Sequence, residues 1–353
     1  MMMFVQRFTF GFNISDTKTI THGIAIYTDP PNNNACVTGK GPTFVCNVRN
    51  SRMTPPLPAN APGGSGVRLT NLDANRLDWD DKLTIEFLND RPRICAIEIV
   101  KADNLPTVFL AGDSTVTDQP REPGASWGQM LPAFFKPDVA VANYAASGQT
   151  LKSFITDLRL DKLLSQMKPG DWLFLQFGHN DEKSNWPQTY VEPFTTHKAY
   201  LRAMISEARL RGATPVLITP MERRGGIEGN THGEFPASIM DTAREENVPV
   251  IDLWSMSKKL YAAMGDQVGE AFADPTHHRN YGAYELSKCI VQGIKDNRLR
   301  LADHIVDDFG RFDPAHPDPF ASFRMPASAG RMGTGGGAAP KSPARRTGPD
   351  YQD

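Results

Sequence analysis

The chain has 353 residues, and its 38 lysines and arginines stand against 40 aspartates and glutamates, a formal net charge of −2. That length supports one large domain or two ordinary ones with a sizeable core, and the near balance of charge excludes bulk attraction to nucleic acid or acidic lipid as the main activity. No apolar run approaches the roughly 18 residues of a membrane helix, and the four cysteines, Cys36, Cys46, Cys95 and Cys289, are too few for a disulfide-built scaffold and lack Cys-x-x-Cys metal spacing.

From the N-terminus, Met1 to Val5 is apolar but too short for a signal-peptide core, and no basic segment precedes it. Residues 1–103 then alternate apolar and polar side chains over short stretches, at 8–10, 23–27, 43–48, 68–70, 83–87 and 95–100, separated by Gly, Pro and Asn clusters. Period two with turn breakers predicts a small antiparallel β-sandwich domain. Cys36 and Cys46 either pair as a local staple in an oxidising compartment or pack as free thiols.

Residues 104–310 change texture. Apolar runs at 107–111, 139–143, 172–177, 214–219 and 248–253 alternate with amphipathic stretches, clearest at 197–211 and 283–297. Strands apolar on both faces need cover on both faces, which predicts a parallel sheet in a three-layer α/β domain. Residues 311–353 are Pro-, Gly-, Ser- and Ala-rich and predict a disordered tail.

Four short segments fall where a doubly wound sheet places its active site, at the carboxyl ends of strands. They are Gly112-Asp113-Ser114-Thr115, Ala146-Ser147-Gly148-Gln149-Thr150, Gly178-His179-Asn180-Asp181 and Asp274-Pro275-Thr276-His277. Acyl transfer needs a hydroxyl nucleophile, a base beside it, a carboxylate that orients the base, and donors aimed at the oxygen that becomes negative. Ser114 supplies the hydroxyl, His277 the base and Asp274 the carboxylate. The N–H groups of Ser114 and Gly148 with the Asn180 amide form an oxyanion hole. Each has a plainer reading: Ser114 and Asp274 as helix caps, Gly148 as a turn residue, Asn180 as an Asx turn, His277 as a loop histidine. His278 follows directly, so the base is assigned by the Asp-x-x-His spacing. Asp113 and His179 read as braces for the loops. Asp274, His277 and His278 lack a Glu-x-x-His or Cys partner, so no metal and no organic cofactor is expected. Arg223 and Arg224 lie past a strand end and either belong to a solvated loop or line the cleft, where they are candidates to meet substrate carboxylates. Trp127 and Trp186 are candidates to stack on sugar rings, although a core or rim aromatic is the better reading of either residue by itself.

The four segments in this order resemble the SGNH, or GDSL-type, hydrolases over residues 107–297. Gly112 to Val116, Ser126-Trp127-Gly128-Gln129, Gln176 to Asp181, and Thr276-His277 followed by Tyr281-Gly282-Ala283 are similar to the rhamnogalacturonan acetylesterase-like carbohydrate esterases. The resemblance implies a flavodoxin-like α/β/α hydrolase domain preceded by a galactose-binding-like β-sandwich. It implies an enzyme that removes O-acetyl groups from acetylated plant cell-wall polysaccharide or oligosaccharide, with no nucleic-acid or membrane partner, in an extracellular or periplasmic setting. Two other functions stay open: a lipase or thioesterase on the same fold, against which the polar stretches at 118–122 and 181–185 speak, and a carbohydrate-binding protein without activity.

Overall fold

The computed structural model describes residues 105–119, 123–136 and 138–323, and the backbone of four strands nearer the N-terminus. Those four are β1 (Val5–Phe10), β2 (His22–Tyr27), β3 (Leu83–Phe87) and β4 (Ala96–Lys101). β1 pairs with β3 and β2 with β4, both antiparallel. The expected strands at 43–48 and 68–70, and the paired state of Cys36 and Cys46, lie outside the described residues.

The α/β region carries β5 (Thr107–Gly112), β6 (Ala140–Asn143), β7 (Trp172–Gln176), β8 (Thr214–Ile218) and β9 (Val250–Ile251). They form one parallel sheet in the order β6-β5-β7-β8-β9. The helices are α1 (Trp127–Met130), α2 (Leu151–Thr156), α3 (Arg159–Gln166), α4 (Lys198–Leu210), α5 (Phe235–Glu246), α6 (Leu253–Met264), α7 (Val268–Ala271) and α8 (Asn280–Asp296). Strand side chains alternate between two apolar layers. Val108, Leu110, Phe174, Val216 and Ile218 pack with residues of α1, α6 and α8. Phe109, Ala111, Leu173, Leu175 and Leu217 pack with residues of α2 to α5. This is the three-layer parallel architecture that the doubly apolar strands demand. In this strand order the connections leave β5 in opposite directions, so a crevice opens at the carboxyl ends of β5 and β7.

Two elements differ from the sequence expectation. The fifth strand pairs only at Val250 and Ile251, because the Asp252 carboxylate accepts from Ser255 N (3.2 Å) and starts α6 at Leu253. Residues 311–323, expected as the start of a disordered tail, instead pack on α8, and the rest of that stretch lies outside the described residues. Phe312 is buried and its N–H donates to Gln292 Oε1 (2.8 Å), Tyr281 donates to Asp318 O (2.7 Å), and Lys288 pairs with both Glu285 (2.7 Å) and Asp318 (2.8 Å). Aromatic anchors, which composition averages away, hold this segment.

Trp127 corrects another expectation. It is 0% exposed in the core, so no sugar can stack on it. Its indole N–H donates to Gln176 Oε1 (2.6 Å). Trp127→Phe leaves that buried oxygen without its donor and is expected to lower unfolding free energy by about 1–3 kcal/mol with KM unchanged. Denaturant melts and steady-state kinetics check this; a raised KM at native stability would restore the sugar contact.

His197, at the entry to α4, is fully buried, with Nδ1 3.0 Å from Ser238 Oγ and its ring edge-on to Phe235. Burial pushes its pKa down to about 3 from 6.5. Above pH 6.5 neither state binds the proton. As pH falls from 6.5 toward 3, the unfolded chain takes up a proton that the folded chain refuses, so stability drops by about 1.4 kcal/mol per pH unit. His197→Gln is expected to flatten the fall in unfolding free energy between pH 6.5 and 4 by up to one proton's slope. Identical slopes in urea melts of the two proteins would refute this.

Candidate active site

The site is built on a tight turn at the end of β5. The N–H groups of Val116 and Thr117 both donate to Asp113 O (3.1 and 3.0 Å). A Cβ at Gly112 would stand 2.5 Å from Val116 Cγ2 and 2.8 Å from Gln176 O, so only glycine lets the strand end lie against β7 here. Buried Asp113 closes the turn: its Oδ1 accepts from Thr115 N (2.8 Å) and Thr115 Oγ1 (2.7 Å). The Thr115 hydroxyl accepts from Gln176 Nε2 (2.7 Å), whose own oxygen is held by Trp127. Burial pushes the Asp113 carboxyl up, but the charge and hydrogen bond of His179 and the two bonds from Thr115 outweigh it and hold it below the ordinary value.

Ser114, carried outward by this turn, meets the loop before α8. His277 Nε2 lies 2.8 Å from Ser114 Oγ, and His277 Nδ1 lies 2.7 Å from Asp274 Oδ2. The other carboxylate oxygen of Asp274 accepts the N–H groups of Thr276 (2.8 Å) and His277 (2.7 Å). Burial raises the Asp274 carboxyl, and these backbone bonds, with the His277 ring, bring it below the ordinary value. An ionised carboxylate only accepts, so the proton of a neutral His277 ring sits on Nδ1 and the Nε2 lone pair faces the serine hydroxyl. The three residues can therefore pass a proton away from Ser114 Oγ. His278 is turned the other way: its Nε2 lies 2.7 Å from Tyr261 OH, it is buried, and burial pushes it down to about 3.

Gly148 sits beside the turn, since Ala146 N donates to Gly112 O (3.1 Å). Its φ of +82° is the left-handed region that favours glycine, and the position is exposed. The Asn180 amide lies next to it, donating through Nδ2 to Gln149 O (3.0 Å). Among the described residues, the N–H groups of Ser114 and Gly148 have no protein acceptor. Ser114 and Gly148 thus carry backbone donors not committed within the described residues, and Asn180 retains a second amide N–H.

Arg223 departs from its expected place facing substrate. Its guanidinium is ion-paired to Glu182 and donates to His179 O (3.1 Å) and Thr231 Oγ1 (3.2 Å), so its donors are turned into the protein. Arg224 is exposed, and its backbone N–H donates to Pro275 O (3.0 Å), which sets it against the Asp274–His277 loop. Trp186 is 46% exposed. His179 is buried, with Nε2 3.1 Å from Met221 O, its ring edge-on to His232, and Nδ1 3.5 Å from Asp113 Oδ2.

Several groups under the site escaped the sequence reading. Asp181 accepts from Leu151 N (2.8 Å) and Gly178 N (3.1 Å), tying the second and third segments together. Its burial, which outweighs those bonds, pushes it up to about 7. Buried Glu222 accepts from Arg223 N (2.8 Å) and Trp254 Nε1 (2.9 Å), and burial's upward push on it is outweighed by those donors and Thr231. His232 bridges Glu182 (2.8 Å) and Met221 O (2.9 Å). Asp181 adjoins Asn180 in the third segment and could have been read as its anchor. Glu222 and His232 meet their partners only through the fold and carry no local signal.

The profile of the GDSL-like Lipase/Acylhydrolase family matches residues 110–283. A Bacillus subtilis protein named "Probable rhamnogalacturonan acetylesterase YesY" is 37% identical over 214 residues, covering 57% of this chain and 98% of that one. "Rhamnogalacturonan acetylesterase RhgT" of the same organism is 37% identical over 227 residues, covering 58% and 96%. The crystal structure of the Bacillus subtilis protein YxiM is similar with a TM-score of 0.52 at 29% identity, covering 62% of this chain and 66% of that one. With a nearly complete relative at this identity and a family profile spanning all four segments, the chain belongs to the GDSL-like lipase/acylhydrolase family and is a carboxylic ester hydrolase.

Proposed function

We propose that this protein removes O-acetyl groups from plant cell-wall polysaccharide, acetylated rhamnogalacturonan foremost, through an acyl-enzyme intermediate. The observation that carries the chemistry is the continuous line from Ser114 Oγ through His277 to Asp274, at 2.8 and 2.7 Å. The names of the two relatives covered almost end to end support the substrate class.

In this reading Ser114 Oγ attacks the acetyl carbonyl carbon and its proton passes to His277 Nε2. The Asp274 carboxylate stabilises the imidazolium that forms. The N–H groups of Ser114 and Gly148 and an Asn180 amide N–H hold the oxyanion. His277 then protonates the departing sugar oxygen, leaving an acetyl ester on Ser114. Water, deprotonated by His277, attacks that ester, and acetate leaves as Ser114 recovers its proton. Arg224, exposed beside the Asp274 loop, is placed to meet an anionic group of the polymer. Residues 1–103 form a separate β-sandwich domain in this reading; the pairing of β1 to β4 with one another, apart from the parallel sheet, supports it.

Ser114→Ala is expected to fold normally and to lose acetate release from acetylated rhamnogalacturonan by roughly 10⁴-fold or more. Substantial residual activity with the native melting temperature would exclude Ser114 as nucleophile. A nitrophenyl ester series is expected to favour acetate over longer acyl chains, whereas a preference for long chains would move the protein to the lipase or thioesterase reading. Parallel acetate-release assays on acetylated rhamnogalacturonan, xylan and homogalacturonan rank the polymers, and rhamnogalacturonan is expected first.

A further inference from the structure

We propose that Lys183 is a positioning residue that locks and polarises the Asn180 amide, so that an N–H rather than the carbonyl oxygen faces the reacting acetyl group. This rests on the reading of Asn180 as an oxyanion donor. The Asn180 side chain has two anchors. Lys183 Nζ donates to its Oδ1 (2.7 Å), and its Nδ2 donates to Gln149 O (3.0 Å). An ammonium only donates and a carbonyl only accepts, so each anchor admits one orientation of the amide. A half-turn about the terminal torsion would set the NH₂ group against the ammonium and the amide oxygen against the Gln149 carbonyl. Both contacts would then be repulsive. Of the two N–H bonds on Nδ2, one is engaged with Gln149 and the other remains for the oxyanion.

Gln149 alone cannot carry this as firmly. Its carbonyl is a neutral acceptor at one end of the amide, and without Lys183 the oxygen end has no donor among the described residues. The ammonium adds a second effect. A cation on an amide oxygen draws electrons from the nitrogen and strengthens its N–H as a donor, as hydrogen-bonded chains polarise one another. Lys183 is exposed and no carboxylate among the described residues lies within ion-pair distance, so its charge is not cancelled locally. Its ammonium lies 5.8 Å from the centre of the Trp186 ring, which steadies a long side chain that would otherwise sample many rotamers. The Trp186 N–H in turn donates to Lys183 O (2.8 Å), so the ring and the stem belong to one turn.

The test uses the full chain and p-nitrophenyl acetate, a neutral ester with no sugar to touch the rim. Removing a single oxyanion donor typically lowers kcat by about 10²–10³-fold. Asn180→Ala is expected in that range, and Lys183→Met, which leaves the donor in place but unlocked, at about 3–30-fold with KM changed less than twofold. Lys183→Arg, which keeps a cationic donor, should recover most of kcat. In the Asn180→Ala background, Lys183→Met should cost nothing further, because its only route to the reaction is gone. A native kcat for Lys183→Met beside a slow Asn180→Ala overturns the proposal and leaves the oxyanion reading standing. So does a full additional loss in the double variant. A native kcat for Asn180→Ala sinks the oxyanion reading and the proposal together.

Discussion

A single hydrogen bond, 2.8 Å between Ser114 Oγ and His277 Nε2, joins positions 163 residues apart, and the proposed acyl-enzyme mechanism depends on it. Neither residue could hold that distance alone. Ser114 stands on a turn wedged between β5 and β7, where the absence of a side chain at Gly112 sets the spacing. His277 stands on a loop clamped from both sides. The carboxylate of Asp274 gathers two backbone N–H groups and the ring, and the neighbouring His278 is buried against Tyr261 and Phe272. Adjacent histidines thus divide the work: one is anchored in the core so that the other can be presented at the surface. Exposed side chains alone would be too mobile for this, since ordering them costs conformational entropy.

Beneath the loops lies an unusual density of buried polar groups: Asp113, Asp181, Glu222, His179 and His232. Burying charge is expensive, and a buried ion pair seldom stabilises a fold as well as an apolar cluster of the same volume. Their partners explain their presence. Asp113 and Asp181 accept mainly from backbone N–H groups of the turns that carry Ser114, Gly148 and Asn180, and Glu222 gathers four donors from three residues on two loops and a helix. Apolar packing holds helices and strands well because they have regular surfaces. Loops have none, and directional bonds are what fix their backbones to a fraction of an ångström. The core stabilises the scaffold, and the polar layer fixes where the loops stand on it.

This division decides what could be read from the sequence. The parallel sheet was legible because strands such as 172–177 are apolar at every position but Gln176, which a sheet covered on both faces explains. The residues brought to the carboxyl ends were legible because each lies in a short segment whose chemistry is local, as with Asp274 three positions before His277. Between core and sugar contact, Trp127 could not be settled from the sequence because exposure is not a local property: Gln176, 49 residues away, takes its N–H. For the same reason neither a cleft-lining nor a solvated Arg223 was right, its partner Glu182 arriving from another strand end. The short fifth strand shows a subtler limit. Its apolar run continues through Leu253, and only the capping carboxylate of Asp252 marks where strand gives way to helix.

The loop that follows β7 unites the two halves of this picture. At its base Val191 N donates to Asp181 O (3.2 Å), closing the segment on itself, while the Asp181 carboxylate is bonded underneath to Leu151 and Gly178. Everything between 182 and 190 is carried by that closure, and most of it is exposed. A closed loop tolerates substitution at its tip because the bonds that fix its ends do not pass through the tip. Tip residues that do not reach back to Asn180, as the Lys183 ammonium does, can therefore differ in a relative that keeps Asn180 and Asp181 in place. Rim chemistry can change while the donor and its anchor stay where the sheet holds them. The hydrogen bond between the Lys183 ammonium and Asn180 Oδ1 therefore ties the exposed part of the loop to its buried base through a side chain, beside the backbone bonds that close the turn.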